Sequence, residues 1–261
     1  MSEVASAVAR GGVVAFTGAG ISAQSGIPTF RDPGGVWDRF DPAEFGTWDG
    51  LARAATSRPD ELVAFLQELR RVFRDARPGP AHLALARLEA AGLVDAIVTQ
   101  NVDGLHRDAG SRRLVEVHGT FRRTACVACG HREEVGREEF VEHLDRTILG
   151  LRTAFVPSLA SLLPRCSRCG GPARPDFVAF GERLQGFEEA EGLMEGCRVL
   201  LVVGTSGEVW PAAALPERAR QEGALVVDVS PAPTLIAADV RLEGLAGDVL
   251  PALADAVLGG R

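Results

Sequence analysis

Short, continuous apolar runs alternate along the chain with longer amphipathic stretches. The runs cover residues 12–16, 95–98, 199–203 and 224–227, each the length of a strand buried on both faces. Between them, 60–75, 81–91 and 212–222 carry helical periodicity, and 248–257 closes the chain as a further helix. Strand–helix alternation of this kind predicts an α/β fold, a parallel sheet with helices on both faces. In such sheets ligands bind beyond the carboxyl ends of the strands. The residues that follow each run are therefore the first candidates for chemistry.

After the first run stands Thr17-Gly-Ala-Gly-Ile-Ser-Ala23, and after the second Thr99-Gln-Asn-Val-Asp-Gly104. The third leads into Gly204-Thr-Ser-Gly207 and the fourth into Asp228-Val-Ser-Pro231. Gly18-Ala-Gly-Ile-Ser-Ala23 fits G-x-G-x-x-A directly after a strand, a turn whose backbone can approach a pyrophosphate. The acidic residue expected about 20 residues later on a second strand is missing, because Arg31-Asp-Pro-Gly-Gly-Val-Trp37 reads as a loop. An ordinary dehydrogenase fits poorly. The connection around Pro28 and Pro33-Gly34-Gly35 has the character of a lid, with Phe30 as an aromatic cover and Arg31 as a cation for phosphate. Gln100-Asn-Val-Asp103 brings two amides and a carboxylate together, a set suited to a ligand with hydroxyls and a carboxamide. His118, in Val115-Glu-Val-His-Gly119, follows an apolar alternation. It reads either as a general base working near neutral pH or as a hydrogen-bonded structural histidine. His82 and His106 read as structural, His131 and His143 as exposed.

Residues 124–174 break the alternation and hold two C-x-x-C pairs, Cys126/Cys129 and Cys166/Cys169. Four thiolates close a tetrahedral zinc with no open position, so a metal there is structural. Gly130 and Gly170 follow the second cysteine of each pair, as knuckle turns require. The expected organisation is a sheet domain over 1–123 and 175–261 with a small zinc module inserted at 124–174. The fifth cysteine, Cys197, precedes an apolar run and reads as a small core residue.

Composition sharpens this picture at three points. A formal net charge of −7 disfavours broad nucleic-acid binding, although Arg122, Arg123, Arg165, Arg168 and Arg174 flank the cysteines and would make a local basic patch or a solvated face. No apolar run is long enough to cross a bilayer, and the first residues lack the basic-then-apolar order of a secretory signal, so the cytoplasm is the expected compartment. All 28 basic residues are Arg, and Asn101 is the only Asn in the chain. A coding bias accounts for the skew, and it makes the surviving Asn conspicuous.

These residues together resemble the sirtuins of bacterial type, NAD-dependent protein-lysine deacylases, over nearly the whole chain. The carriers are Gly18-Ala-Gly-Ile-Ser22, Gly26-Ile-Pro-Thr-Phe-Arg31, Thr99-Gln-Asn-Val-Asp-Gly-Leu-His106 and His118-Gly119. The cysteine pairs, Arg174-Pro-Asp-Phe-Val-Ala-Phe-Gly-Glu182 and Gly204-Thr-Ser206 complete the set. The resemblance implies a Rossmann-like domain and a zinc-ribbon module holding one structural Zn2+, with NAD and an acyl-lysine protein or peptide as co-substrates. Asn101 and Asp103 would line a nicotinamide pocket with Ala19 and Ile27, and Gln100 and His118 would face the ribose. Gly18, Ala19, Gly20, Arg31 and Ser206 would serve the phosphates and nearby sugar, and Phe30 would cover the reacting face. Ser22, Ala23, Gly204, Thr205, Ser230 and Ala246 complete the implied NAD site. Phe180-Gly181-Glu182 and Gly207-Glu208-Val209 would clamp the peptide as an added strand. In the implied mechanism the acyl oxygen attacks the ribose carbon as nicotinamide leaves. His118 and Asn101 are the catalytic pair, His118 taking a proton from a ribose hydroxyl. The products are nicotinamide, deacylated lysine and O-acyl-ADP-ribose.

The chain departs from the family in places. The Tyr and Arg that mark the desuccinylating branch correspond to Leu66 and Leu69, so the acyl mouth is expected to be apolar, with Arg70 close enough to intrude. Ser230 stands for the Asn usual near the adenosine, and Trp210 for a usual Tyr. Two other functions stay open at this point, a mono-ADP-ribosyltransferase using the same pocket and a non-enzymatic NAD-sensing module.

Overall fold

The computed structural model describes residues 1–28, 35–153 and 158–259. The strands are β1 (Val13–Thr17), β2 (Val94–Thr99), β3 (Leu114–Glu116), β4 (Gly119–Cys126), β5 (Arg132–Glu134), β6 (Ala173–Phe177), β7 (Val199–Val203), β8 (Leu225–Ser230) and β9 (Val240–Glu243). The helices are α1 (Ser2–Val8), α2 (Val36–Arg39), α3 (Pro42–Phe45), α4 (Trp48–Ser57), α5 (Pro59–Asp75) and α6 (Pro80–Ala90). After them come α7 (Leu105–Asp108), α8 (Arg137–Thr153), α9 (Phe187–Gly196), α10 (Leu215–Gln221) and α11 (Ala246–Leu258). The chain divides into two compact units.

The first unit comprises Met1–Thr29, Arg77–His118 and Leu184–Arg261. Its six strands form one sheet in the order β3-β2-β1-β7-β8-β9, and every pair is parallel. Side chains alternate across a strand, and β1 and β7 show it. Val13, Ala15, Val199, Leu201 and Val203 face one core with residues of α1, α6 and α11. Val14, Phe16, Leu200 and Val202 face a second core with residues of α9 and α10. Burial on both faces is why these runs are continuously apolar. This is the expected α/β sheet with helices on both faces. Cys197 lies in the second core, and burial pushes its thiol up to about 11. The apolar runs foreshadow β1, β2, β7 and β8, whereas β3 and β9 are short outer strands of the sheet.

The second unit comprises Phe30–Ala76 and Gly119–Arg183. Its sheet, β5-β4-β6, is antiparallel and carries the cysteine pairs at one end. The inserted segment expected over 124–174 falls inside this unit, which also takes in 30–76. The physical tie is aromatic packing. Phe73 of α5 stands 4.5 Å from Phe121 of β4 and 5.3 Å from Phe140 of α8. Arg137 donates to the Phe73 carbonyl at 2.6 Å and lies 5.2 Å over the Phe121 ring. Among the described residues, no helix is long and apolar enough to cross a membrane.

Candidate active site

The ends of β1 and β7 are locked together by glycine backbone, and the Gln100 N–H at the end of β2 donates to Thr17 O of β1 at 2.9 Å. Gly18 donates to Val203 O at 3.0 Å and Gly20 to Gly204 O at 2.8 Å. A side chain on Gly20 would lie 2.7 Å from the Gly204 Cα, and Gly204 itself has φ +61°, a conformation open to glycine. The glycines of the G-x-G-x-x-A motif thus serve strand-end packing as well as any approach of a ligand. The motif continues as a short 3₁₀ helix, Ala19–Ser25, which carries Ala19, Ser22 and Ala23. Ile27 follows it and is buried. Gln24 Oε1 accepts the Gly247 N–H at 2.8 Å, which ties this helix to the start of α11 at Ala246.

Behind the glycines lies a buried polar network whose hydrogen positions follow from its fixed partners. The Gly18 carbonyl can only accept, so the Asn101 amide nitrogen faces it, at 3.0 Å, and also reaches Ser22 Oγ at 3.2 Å. Both Nδ2 hydrogens are then committed, and Asn101 Oδ1 is the atom left for a ligand. Ser22 Oγ donates to Asp103 Oδ2 at 2.8 Å. His82 Nδ1 accepts the Gly79 N–H at 3.1 Å, so its proton sits on Nε2 and is given to Ser22 Oγ at 3.3 Å. Ser22 therefore accepts twice and donates once, which fills its tetrahedral capacity. Gln100 reaches Thr205 Oγ1 at 2.9 Å. His118 Nδ1 lies 2.9 Å from Gln100 O, and because a carbonyl only accepts, Nδ1 carries the proton and Nε2 the lone pair. Burial lowers the basicity of His118 below the usual 6.5, partly opposed by the bond to Gln100.

His82 and His106 are buried with their rings 4.9 Å apart, as their structural reading requires. Burial lowers His82 to about 4, and burial followed by the charge of His82 lowers His106 well below 6.5. The sign follows from proton counting. Below pH 6.5 the unfolded chain protonates these rings while the folded chain does not, so stability present above 6.5 is lost as pH falls toward 4. For His82 the loss is about 3 kcal/mol in full, with about 2 kcal/mol gone by pH 5. His82→Gln is expected to flatten the fall in urea-denaturation stability between pH 7 and 5 by about that amount.

Ser206 Oγ donates to Glu208 at 3.1 Å, and residues 205–210 alternate between half-buried and exposed, the period of an extended segment. Ser230 is buried, its hydroxyl committed to Asp228 Oδ2 or the Ala232 carbonyl at 3.0 and 2.9 Å. Phe30, Arg31 and the Pro33-Gly34 turn lie outside the described residues. In the second unit, Leu66 is buried and Leu69 half-buried on α5. Arg70 does not stand free beside them, because it is paired through two nitrogens with Asp145 of α8. Phe180 and Gly181 form an exposed turn, and the Glu182 carboxylate beside it accepts from Arg174, Trp48 and the Ala179 N–H. Two of the arginines read as a basic patch are likewise engaged, Arg123 with Asp176 and Arg174 with Glu182. His82, bonded to Ser22, and Trp48, bonded to Glu182, are residues whose roles the sequence does not mark. Their partners are 60 and 134 residues away, and no local pattern marks them.

The ligand atoms of Cys126, Cys129, Cys166 and Cys169 all lie within 4.8 Å of one another. The pairs Cys126–Cys169 and Cys129–Cys166 are 3.5 and 3.8 Å apart. Tetrahedral zinc with bonds of ~2.3 Å sets its sulfurs roughly 3.8 Å apart. The four thiols fit that ion.

A model of the Sir2 family matches residues 18–211, a span that contains the glycine motif, the Gln100–Asp103 cluster, His118 and all four clustered cysteines. The chain is 41% identical over 244 residues to an NAD-dependent protein deacylase of Desulfosudis oleivorans, covering 93% of this chain and 89% of that protein. It is 45% identical over 248 residues to NAD-dependent protein deacylase 2 of Pyrobaculum aerophilum, covering 94% and 90%. Among solved structures, a Sir2 homolog–NAD complex superposes with a TM-score of 0.81 at 33% identity, covering 100% of this chain and 94% of that one. Motif, geometry and likeness agree, and this chain belongs to the Sir2 family.

Proposed function

We propose that the chain is an NAD-dependent protein-lysine deacylase with His118 as its general base. The observation that carries this reading is the bond from His118 Nδ1 to Gln100 O, which fixes the tautomer with Nε2 as the proton acceptor. NAD supplies a ribose carbon that nicotinamide leaves and a ribose hydroxyl that takes the acyl group. His118 Nε2 removes the proton from that hydroxyl, and its low basicity keeps it neutral and ready at pH 7. Asn101 Oδ1 and the Asp103 carboxylate, both held by Ser22, orient the carboxamide of nicotinamide. The locked turn at Gly18–Gly20, with Thr205 and Ser206, receives the phosphates and nearby sugar. Because an amide oxygen is a poor nucleophile, positioning contributes much of the rate.

The four thiolates hold one structural zinc, which supplies a crosslink and no chemistry. The acyl-lysine peptide is the second substrate. Leu66 and Leu69 give its acyl group an apolar environment, and Arg70, engaged by Asp145, is not available to a carboxylate. Uncharged chains, acetyl first among them, are therefore preferred. Succinyl-lysine should give a kcat/KM about 100-fold or more below acetyl-lysine, the cost of burying an unpaired carboxylate.

Peptide-dependent nicotinamide release by the zinc-loaded protein tests the reading. Release with acetyl-lysine peptide and none without it is expected. Transfer of label from NAD to protein without acyl-lysine would instead make the chain a mono-ADP-ribosyltransferase, and NAD binding without turnover would make it a sensor.

A further inference from the structure

Resting on the deacylase reading, we infer that Trp48, Arg174 and Glu182 position the Phe180–Gly181 turn for the peptide strand, with Glu182 acting from behind the turn without touching the peptide. Both oxygens of the Glu182 carboxylate are engaged from within its own unit. Arg174 donates to Oε1 at 2.6 Å. Oε2 accepts the Ala179 N–H at 3.0 Å and the Trp48 indole N–H at 3.3 Å. Trp48 is itself braced, stacked at 5.2 Å on Phe177 with 24° between the ring planes, and with the Arg174 guanidinium 4.5 Å over its ring. An indole held on both accounts sets where Glu182 can stand, and Glu182 sets where Ala179 stands.

A second tether comes from the residue two places before Trp48. Gly46 O accepts the Phe180 N–H at 2.9 Å, and a side chain at Gly46 would lie 2.3 Å from Phe180 Cδ2. Glycine is the residue that permits this approach. The Glu182 N–H closes the turn on Ala179 O at 3.1 Å, and Gly181 supplies the positive φ of 87°. Three of the turn's N–H groups are thus used internally. Among the described residues, the Gly181 N–H and the Phe180 carbonyl have no partner, and these are adjacent backbone groups of the kind an added strand pairs with. The Phe180 ring remains 45% exposed. The base of the turn is fixed and its apex is presented.

Steady-state kinetics on the full zinc-loaded chain test this positioning role. Trp48→Phe keeps an aromatic face for the Arg174 cation but removes the donor to Glu182, and Glu182→Gln keeps an acceptor while removing the charge that holds Arg174. Each is expected to raise the KM for acetyl-lysine peptide about tenfold, the scale of one hydrogen bond to a charged group. The kcat and the KM for NAD should stay within about twofold. The double variant should be no worse than the more affected single one, because both changes act on one assembly. The factor should also be the same for peptides with acidic, neutral or basic flanks. An unchanged peptide KM in both variants overturns the inference, as does a loss confined to kcat. A factor that follows peptide charge overturns it too, by making Glu182 a direct contact. Wild-type protein with no peptide-dependent nicotinamide release defeats the deacylase reading instead.

Discussion

Replacing His118 by alanine is expected to lower the rate of peptide deacylation about 10²–10⁴-fold, the range for loss of a positioned general base. The effect should fall on kcat, with the KM values for NAD and peptide within about threefold of wild type, because the bonds that fix Asn101, Ser22 and Asp103 do not involve His118. The pH profile carries an independent signature. Burial favours the neutral imidazole, so the folded protein's His118 titrates below the usual 6.5. The protonated ring cannot accept a proton, so kcat/KM should fall on the acid side with a midpoint below 6.5. That limb should be missing from whatever activity His118→Ala retains. His118→Ala with wild-type turnover would remove this residue from the chemistry and leave its bond to Gln100 as a structural one.

The sheet and much of the site could be read from the chain because their causes are local. A strand buried on both faces must be apolar at consecutive positions, as β1 and β7 are along nearly their whole length, and as β2 and β8 are but for Asp95 and Asp228 and their polar ends. The polar and glycine clusters of the candidate site then sit where those runs stop, as at Gln100–Asp103 and Gly204–Ser206. What escaped reading has causes spread along the chain. The segment 30–76 joins the cysteine-bearing unit because Phe73 meets Phe121 and Phe140, a match that no periodicity within α5 announces. Glu182 ends an exposed motif, and nothing local shows that both its oxygens bond within the fold, to Trp48, Arg174 and Ala179. Similarly, the motif glycines suggested a phosphate turn alone, whereas Gly20 also needs to lie against Gly204. His82 shows the limit most plainly. Its ring is a helix residue by sequence, and only the fold makes it the donor that completes Ser22.

Removing zinc is expected to unfold the cysteine-bearing end of the second unit while the six-stranded sheet of the first persists. The two knuckles are built alike. Cys126 donates its N–H to His131 O and Cys166 to Gly171 O, each at 2.8 Å. Gly130 and Gly170 turn with φ of 69° and 72° and donate to Cys126 O and Cys166 O at 3.0 and 2.9 Å. The N–H groups of Cys129, Arg168 and Gly171 point at the sulfurs of Cys126, Cys166 and Cys169, each at 3.4 Å. Little else holds this end. Val127 is 63% exposed, and Arg132–Glu134 is exposed throughout. Apolar burial there is small, so the ordering entropy of the knuckles has to be met by metal, whose apparent contribution in small zinc modules is about 10–16 kcal/mol. Metal analysis should therefore find one zinc per chain, and chelation should abolish amide-exchange protection over 126–134 and 165–174 but leave β1 and β7 protected. Deacylation should be lost with the protection, since β6, which follows the second knuckle and pairs with β4, carries Arg174 and Phe177, the residues that brace Glu182 and Trp48. Cys166→Ala should reproduce the chelated state, and added zinc should fail to rescue it. A metal-free chain that keeps full exchange protection at the knuckles would show that the thiol cluster holds itself together without the ion.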